Sequence, residues 1–240
     1  MIDRRGYALV TSAYWSFTLT DGALRMLVLL HFHALGYTAL QLAFLFLLYE
    51  FFGVVTNLFG GWIGSHTGLK LTLFSGLALQ VGALTMLSFI SESWSPAISV
   101  SYVLAAQGLS GIAKDLTKMS SKSAVKLLVD PSEPSSLFRW VAVLTGSKNA
   151  LKGAGFFLGG FLLQTFGFQY SLWAMAAALA TVILLLVAFL RGDLGRSKSK
   201  VKFKHLFSKS PAINRLSFAR VFLFASRDVW FVVALPVFLA

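Results

Sequence analysis

Apolar residues along this chain come in long blocks, and the polar residues dividing them come in short ones. Blocks at residues 7–33, 38–63, 71–90, 97–128, 137–166 and 170–190 each supply the roughly 20 residues that an α-helix needs to cross a bilayer. The breaks between them read "ALGYT", "GSHTGLK", "SESWSP", "VDPSEPSS" and "GFQ", and Pro131 and Pro134 in the fourth cannot continue a helix. One interruption is long: "RGDLGRSKSKVKFKHLFSKSP". A seventh apolar segment begins near Ile213 and runs to the end. The pattern predicts an all-α membrane protein, with six spanning helices in residues 1–190, a basic linker at 191–212 and a first helix of a second half at 213–240.

The first block reads as a spanning helix rather than a secretory leader. It is too long, it holds Asp21 and Arg25, and no small-residue cleavage site follows it. Lysine and arginine in the loops set the orientation. Arg4, Arg5, Lys70 and the linker residues Arg191, Arg196, Lys198, Lys200, Lys202, Lys204 and Lys209 fall on one side. The opposite loops, "ALGYT", "SESWSP" and "GFQ", have no lysine or arginine. The amino terminus and the linker are therefore expected in the cytoplasm.

Composition agrees with the pattern. The chain is 57% hydrophobic and 12% charged, against about 25% charged in soluble domains. Its 23 phenylalanines suit lipid-facing helix surfaces. Cysteine is absent, which removes disulfides, thiolate metal sites and thiol nucleophiles. A net charge of +12 would suit nucleic acid only on a soluble basic face, and here the charge divides between loops and isolated positions inside apolar helices. No nucleophile–base motif, phosphate-cradling loop or metal-ligand cluster stands out, so neither an enzyme nor a cofactor is expected. His31 and His33 are two residues apart and fall on different helix faces, which favours an interfacial role over a metal site.

Charge inside the helices is where function is expected. An ionisable side chain at membrane depth costs at least about 2.5–3.5 kcal/mol and normally faces a cavity or a partner. Asp21, Arg25, Glu50, Lys114, Asp115, Lys118, Lys148 and Lys152 all fall well inside their segments. Asp21 and Arg25 are four apart on one helix and can neutralise each other, and Asp115 can reach Lys118 one turn on. Glu50 has no partner on its own helix. It either pairs with a lysine across the bundle or titrates as a proton-coupling carboxylate. Five basic and three acidic residues leave two positive charges over, and Lys148 and Lys152 repeat the four-residue spacing of Lys114 and Lys118. Lys122 and Lys126 extend the stripe toward the cytoplasmic end, as headgroup-reaching side chains or as the mouth of a basic funnel. Such a stripe is expected to form one wall of an anion pathway. Tyr14, Trp15, Gln107 and Asn149 could touch a substrate or serve packing, and Gly153, Gly155, Gly159 and Gly160 are expected to let helix backbones approach closely.

Several short stretches carry a resemblance. "GGWIGSHTGLK" resembles the loop between helices two and three of the major facilitator superfamily, with Gly61, Gly68 and Lys70 in place, Ser65 where aspartate is usual and His66 where arginine is common. "AAQGLSG" is similar to the Q-G pattern of helix four, with Leu104 at the arginine position, and "GFFLGG" to the antiporter glycine motif, with Phe156 for proline. The long stretch "YWSFTLTDGALRMLVLLHFHALGYTALQLAFLFLLYEFFGVVTNLFGGW" and "FASRDVWFVVALPVFL" resemble the ArsJ-type organoarsenical efflux permeases. That resemblance implies a transporter in a bacterial inner membrane exporting arsenophosphoglycerate, an anion formed by glyceraldehyde-phosphate dehydrogenase acting on arsenate, and so conferring arsenate resistance. On this reading Arg25, Lys114, Lys118, Lys148 and Lys152 bind substrate, and Asp21, Glu50, Asp115, Arg227 and Asp228 serve coupling or ion pairing. The chain answers to the first half of such a six-plus-six transporter. It is expected either to work with a second half or to be an incomplete, non-transporting unit needing a complementing chain.

Overall fold

Helices account for all regular structure among the described residues: α1 (Arg4–Ala34), α2 (Ala39–Leu45), α3 (Leu47–Thr67), α4 (Leu69–Ser88), α5 (Pro96–Leu128), α6 (Pro134–Phe189) and α7 (Pro211–Asp228). The structure, a computed structural model, describes residues 4–91, 93–128, 134–190, 194, 210–228, 230, 234, 235 and 238. Most of the expected linker therefore lies outside the described residues.

Two boundaries differ from the sequence expectation. The second block breaks at Phe46, whose φ of −97° and ψ of 0° separate α2 from α3. Thr38 starts α2 with a capping box: its hydroxyl accepts from the Gln41 N–H, and the Gln41 side chain accepts from the Thr38 N–H. The fifth and sixth blocks, written together as α6, are two helices that meet at Gly167, where φ is +73°, at the expected "GFQ" break. Only glycine takes that conformation without strain. The "GSHTGLK" turn shortens to one residue, Gly68, with φ +88°.

Polar and apolar side chains are arranged inside out. Asp21, Arg25, Gln80, Gln107, Ser110, Asp115, Thr117 and Ser121 are buried, while Phe157 is 84% exposed, Tyr170 73% and Leu184 67%. A bundle with an apolar outside and hydrogen-bonded backbone throughout suits lipid. Some buried hydroxyls are met locally: Thr18 donates to the Tyr14 carbonyl at 2.8 Å and Ser120 to the Leu116 carbonyl at 2.7 Å. Ala39–Gly60, Leu69–Ser88, Pro96–Val125 and Phe138–Phe189 are long and apolar enough to cross a membrane, the last folded in two at Gly167.

α1 packs along α6 and also touches α5, while α5 lies across α3 and α4 and barely meets α6. Gly22 of α1 fits against α6 so closely that a Cβ would come 2.7 Å from the Lys152 carbonyl oxygen. Gly155 and Gly159 face back onto Leu19 and Ala23. Gly153 has nothing within 4 Å, and Gly160 meets only the tip of Leu30, so these two do not serve the close approach expected of all four. The reason is helical phase: positions 155 and 159 share the face turned to α1. One apolar cluster gathers around Leu27, Phe32, Leu84 and Leu172, and another around Val10, Phe17, Leu73 and Leu186. Asp21 of α1 and polar residues of α4 and α5 lie between them in sequence: Gln80 on α4, Gln107 and Ser110 on α5.

Candidate functional site

The charges at membrane depth converge from four helices. Arg25 of α1 reaches across to α3, where its Nη2 lies 2.5 Å from Glu50 Oε1. Lys114 of α5 approaches the other oxygen, Glu50 Oε2, at 3.5 Å, and Asp115 Oδ2 at 3.9 Å. Lys118 Nζ is 2.8 Å from Asp115 Oδ1, one turn on along α5.

Asp21 does not neutralise Arg25, as the four-residue spacing had suggested. Its Oδ1 instead accepts a hydrogen bond from the Tyr49 hydroxyl at 2.5 Å. Tyr49 holds the cations as well: Arg25 Cζ lies 4.0 Å and Lys114 Nζ 4.1 Å from its ring centroid. A cation over an aromatic face is stabilised by the ring quadrupole, and more so away from water. Tyr49 reaches this position because α3 and α5 touch at Gly111, where any Cβ would collide with the Tyr49 carbonyl.

α6 supplies two lysines and no acid. The Gly22–Lys152 backbone contact brings Lys152 beside the α1 charges, close enough for its charge to act on Glu50. Its Nζ lies 5.9 Å from the Phe156 ring centroid. Lys148 is within electrostatic reach of Asp21, Lys114, Lys118 and Lys122, and forms no ion pair among the described residues. Trp15 donates to Ser147 Oγ at 2.8 Å, tying α1 to α6 one residue from Lys148.

The remaining expected residues divide. Gln107 is fully buried, Tyr14 nearly so, and Asn149 is exposed. Gln80 accepts a hydrogen bond from Ser110 at 2.7 Å in the same polar layer. His31 stacks on Phe168 with ring centroids 4.0 Å apart, beside the Gly167 fold. The side chains of Lys126, Arg227 and Asp228 lie outside the described residues. Tyr49 was not read from the sequence as a site residue. The only signal is its place beside Glu50 in "LLYEFF", and nothing in helical spacing shows that it meets Asp21.

At the Gly68 turn the motif residues act on backbone. Ser65 donates to the Trp62 carbonyl at 2.8 Å, and Lys70 donates to the Leu190 carbonyl at 2.9 Å, closing the end of α6. A cation there also offsets the negative end of the helix dipole.

The chain matches the Major Facilitator Superfamily over residues 9–240. Solved structures agree on the fold. One POT family transporter in complex with a thioalcohol-conjugated peptide has a TM-score of 0.63 at 15% identity, over 94% of this chain and 47% of that one. Another, in complex with 5-aminolevulinic acid, scores 0.63 at 16% identity, with the same coverage. A peptide transporter POT in complex with sulfate scores 0.64 at 15% identity, over 97% of this chain and 46% of that one. This chain thus spans about half the length of each of them. Among curated proteins none matches it. With all-helical architecture, polar residues inside an apolar bundle and a family match over nearly its whole length, the chain belongs to the major facilitator superfamily.

Proposed function

We propose that this chain is the first half of a secondary transporter for a small organic anion, with an organic arsenate–phosphate ester such as arsenophosphoglycerate as the substrate exported. One observation carries the anion reading. On α1, α3 and α5 three cations (Arg25, Lys114, Lys118) meet three carboxylates (Asp21, Glu50, Asp115), whereas α6 adds Lys148 and Lys152 with no acid. A balanced wall faced by surplus positive charge favours a multiply charged anion over a cation or a neutral solute. The ester itself rests on the resemblance of "YWSFTLTDGALRMLVLLHFHALGYTALQLAFLFLLYEFFGVVTNLFGGW" to organoarsenical efflux permeases. The link to glyceraldehyde-phosphate dehydrogenase, as the source of that ester, rests on the same resemblance. In this reading a second half, in the same polypeptide or a companion chain, closes the pathway, and transport proceeds by rocking of the halves about a midplane site. The basic loops favour a cytoplasmic amino terminus, and the resemblance favours a bacterial inner membrane.

The test is uptake by everted vesicles carrying the complete transporter, comparing the arsenate–phosphate ester, 3-phosphoglycerate, inorganic phosphate and a neutral sugar, with and without a proton gradient. Uptake of the ester, inhibited by 3-phosphoglycerate and not by the sugar, is expected. Uptake of neutral or cationic solutes with no anion effect would remove the anion reading.

A further inference from the structure

We infer that Tyr49 is a positioning residue that keeps the cations of this site available to an anion, by satisfying Asp21 with a neutral donor. The inference rests on the anion reading above and goes beyond it. Asp21 and Arg25 are 4% and 2% exposed, so each must find its partner inside the bundle. They are one turn apart on α1, and the default outcome for such a pair is mutual neutralisation. Tyr49 prevents this. Its hydroxyl donates to Asp21 Oδ1, which stabilises the carboxylate without consuming a positive charge. Its ring meanwhile lies against both Arg25 and Lys114.

Arg25 consequently turns to Glu50, whose side chain is 42% exposed, against 5% for Asp115. The cation is thus held by the most accessible carboxylate of the network rather than by a buried one. An anion entering from the open side meets Arg25 and Lys114 through a counter-ion that water already reaches. With phenylalanine at position 49, Asp21 loses its donor while Arg25 stays one turn away. The pair then closes on itself, and the site loses a cation to a residue that no substrate touches.

The experiment measures binding of 3-phosphoglycerate to the complete transporter, purified, for wild type, Tyr49→Phe, Asp21→Asn and the double variant. Tyr49→Phe should weaken binding about tenfold, the equivalent of one charge-assisted contact. Asp21→Asn should bind at least as tightly as wild type. The double variant should recover to within about twofold of wild type, because the carboxylate one turn from Arg25 is gone and Arg25 stays with Glu50. That rescue separates positioning from a loss of packing, which removing Asp21 would not repair. Should Tyr49→Phe lower the folded fraction, Asp21→Asn and the double variant carry the test, and weaker binding by Asp21→Asn overturns the inference. Equal binding by wild type and Tyr49→Phe, or a double variant no better than Tyr49→Phe, also overturns it. Wild type that binds no anion removes the anion site itself and this inference with it.

Discussion

The α1–α3–α5 wall and the α6 wall use charge in opposite ways. On the first, every carboxylate is engaged from another residue: Tyr49 on Asp21, Arg25 and Lys114 on Glu50, Lys118 on Asp115. The charges there cross-link three helices. On the second, α6 is held to α1 by glycine contacts and presents Lys148 and Lys152 without any acid of its own. The difference separates two tasks that look alike in a residue count. Charge paired across helices holds them in register, whereas the lysines of α6 add positive charge that no acid on their own helix offsets.

The largest effect should come from breaking the paired wall. Glu50→Gln strands Arg25, which is buried, and removing one partner of a buried ion pair costs about 3–5 kcal/mol. Glu50 is 42% exposed, which draws the cost toward the lower figure. The level of folded protein should fall sharply, read by fluorescence-detected size exclusion, with the pH profile of the residual transport unchanged. A normal protein level with a displaced pH optimum would assign Glu50 to proton coupling instead.

On α6 the expectation reverses. Lys148→Gln removes a charge-assisted contact worth about 1.5–3 kcal/mol, and so should weaken anion binding roughly ten- to a hundredfold with folding intact. Thermal melting in detergent together with a binding isotherm separates the two effects. Reduced melting temperature with unchanged affinity would place Lys148 among the structural charges and erase the contrast between the walls.

A smaller effect sharpens the role of the α1–α6 seam. Gly155→Ala puts a methyl 2.5 Å from the Leu19 carbonyl oxygen, and overpacking of this kind costs about 1–3 kcal/mol. Gly153→Ala, in open space, should be nearly silent in the same melting assay. Equal responses from the two would mean that the seam does not position Lys152. Smallest of all, Lys122→Gln should change anion affinity by less than about threefold, since its place toward the helix end leaves its charge more screened.

Much of the architecture was legible in the order of residues, because lipid imposes a local rule. Each spanning segment must satisfy its own backbone and present apolar side chains outward, so length and hydropathy alone marked the blocks that became α4 and α5. The glycine turns at Gly68 and Gly167 were visible for the same reason: φ there is set within a single residue. The break at Phe46 was not, since its backbone angles arise in an apolar run with no helix-stopping residue.

The site divides along the same line. Sequence alone determined that eight ionisable residues fall well inside apolar segments, that they carry two more positive than negative charges, and that Lys118 stands one turn from Asp115. Those facts depend on composition and helical period. Which acid meets which base was decided only by tertiary structure. Asp21 lies one turn from Arg25, yet it takes the hydroxyl of Tyr49, 28 positions away. Arg25 spans 25 positions to Glu50. Gly111 contributes, because it lets α3 close on α5 at Tyr49, beside the residues that reach Asp21 and Arg25. Pairing energy at membrane depth depends on distance and burial across the bundle, and neither is written in the spacing of a single helix.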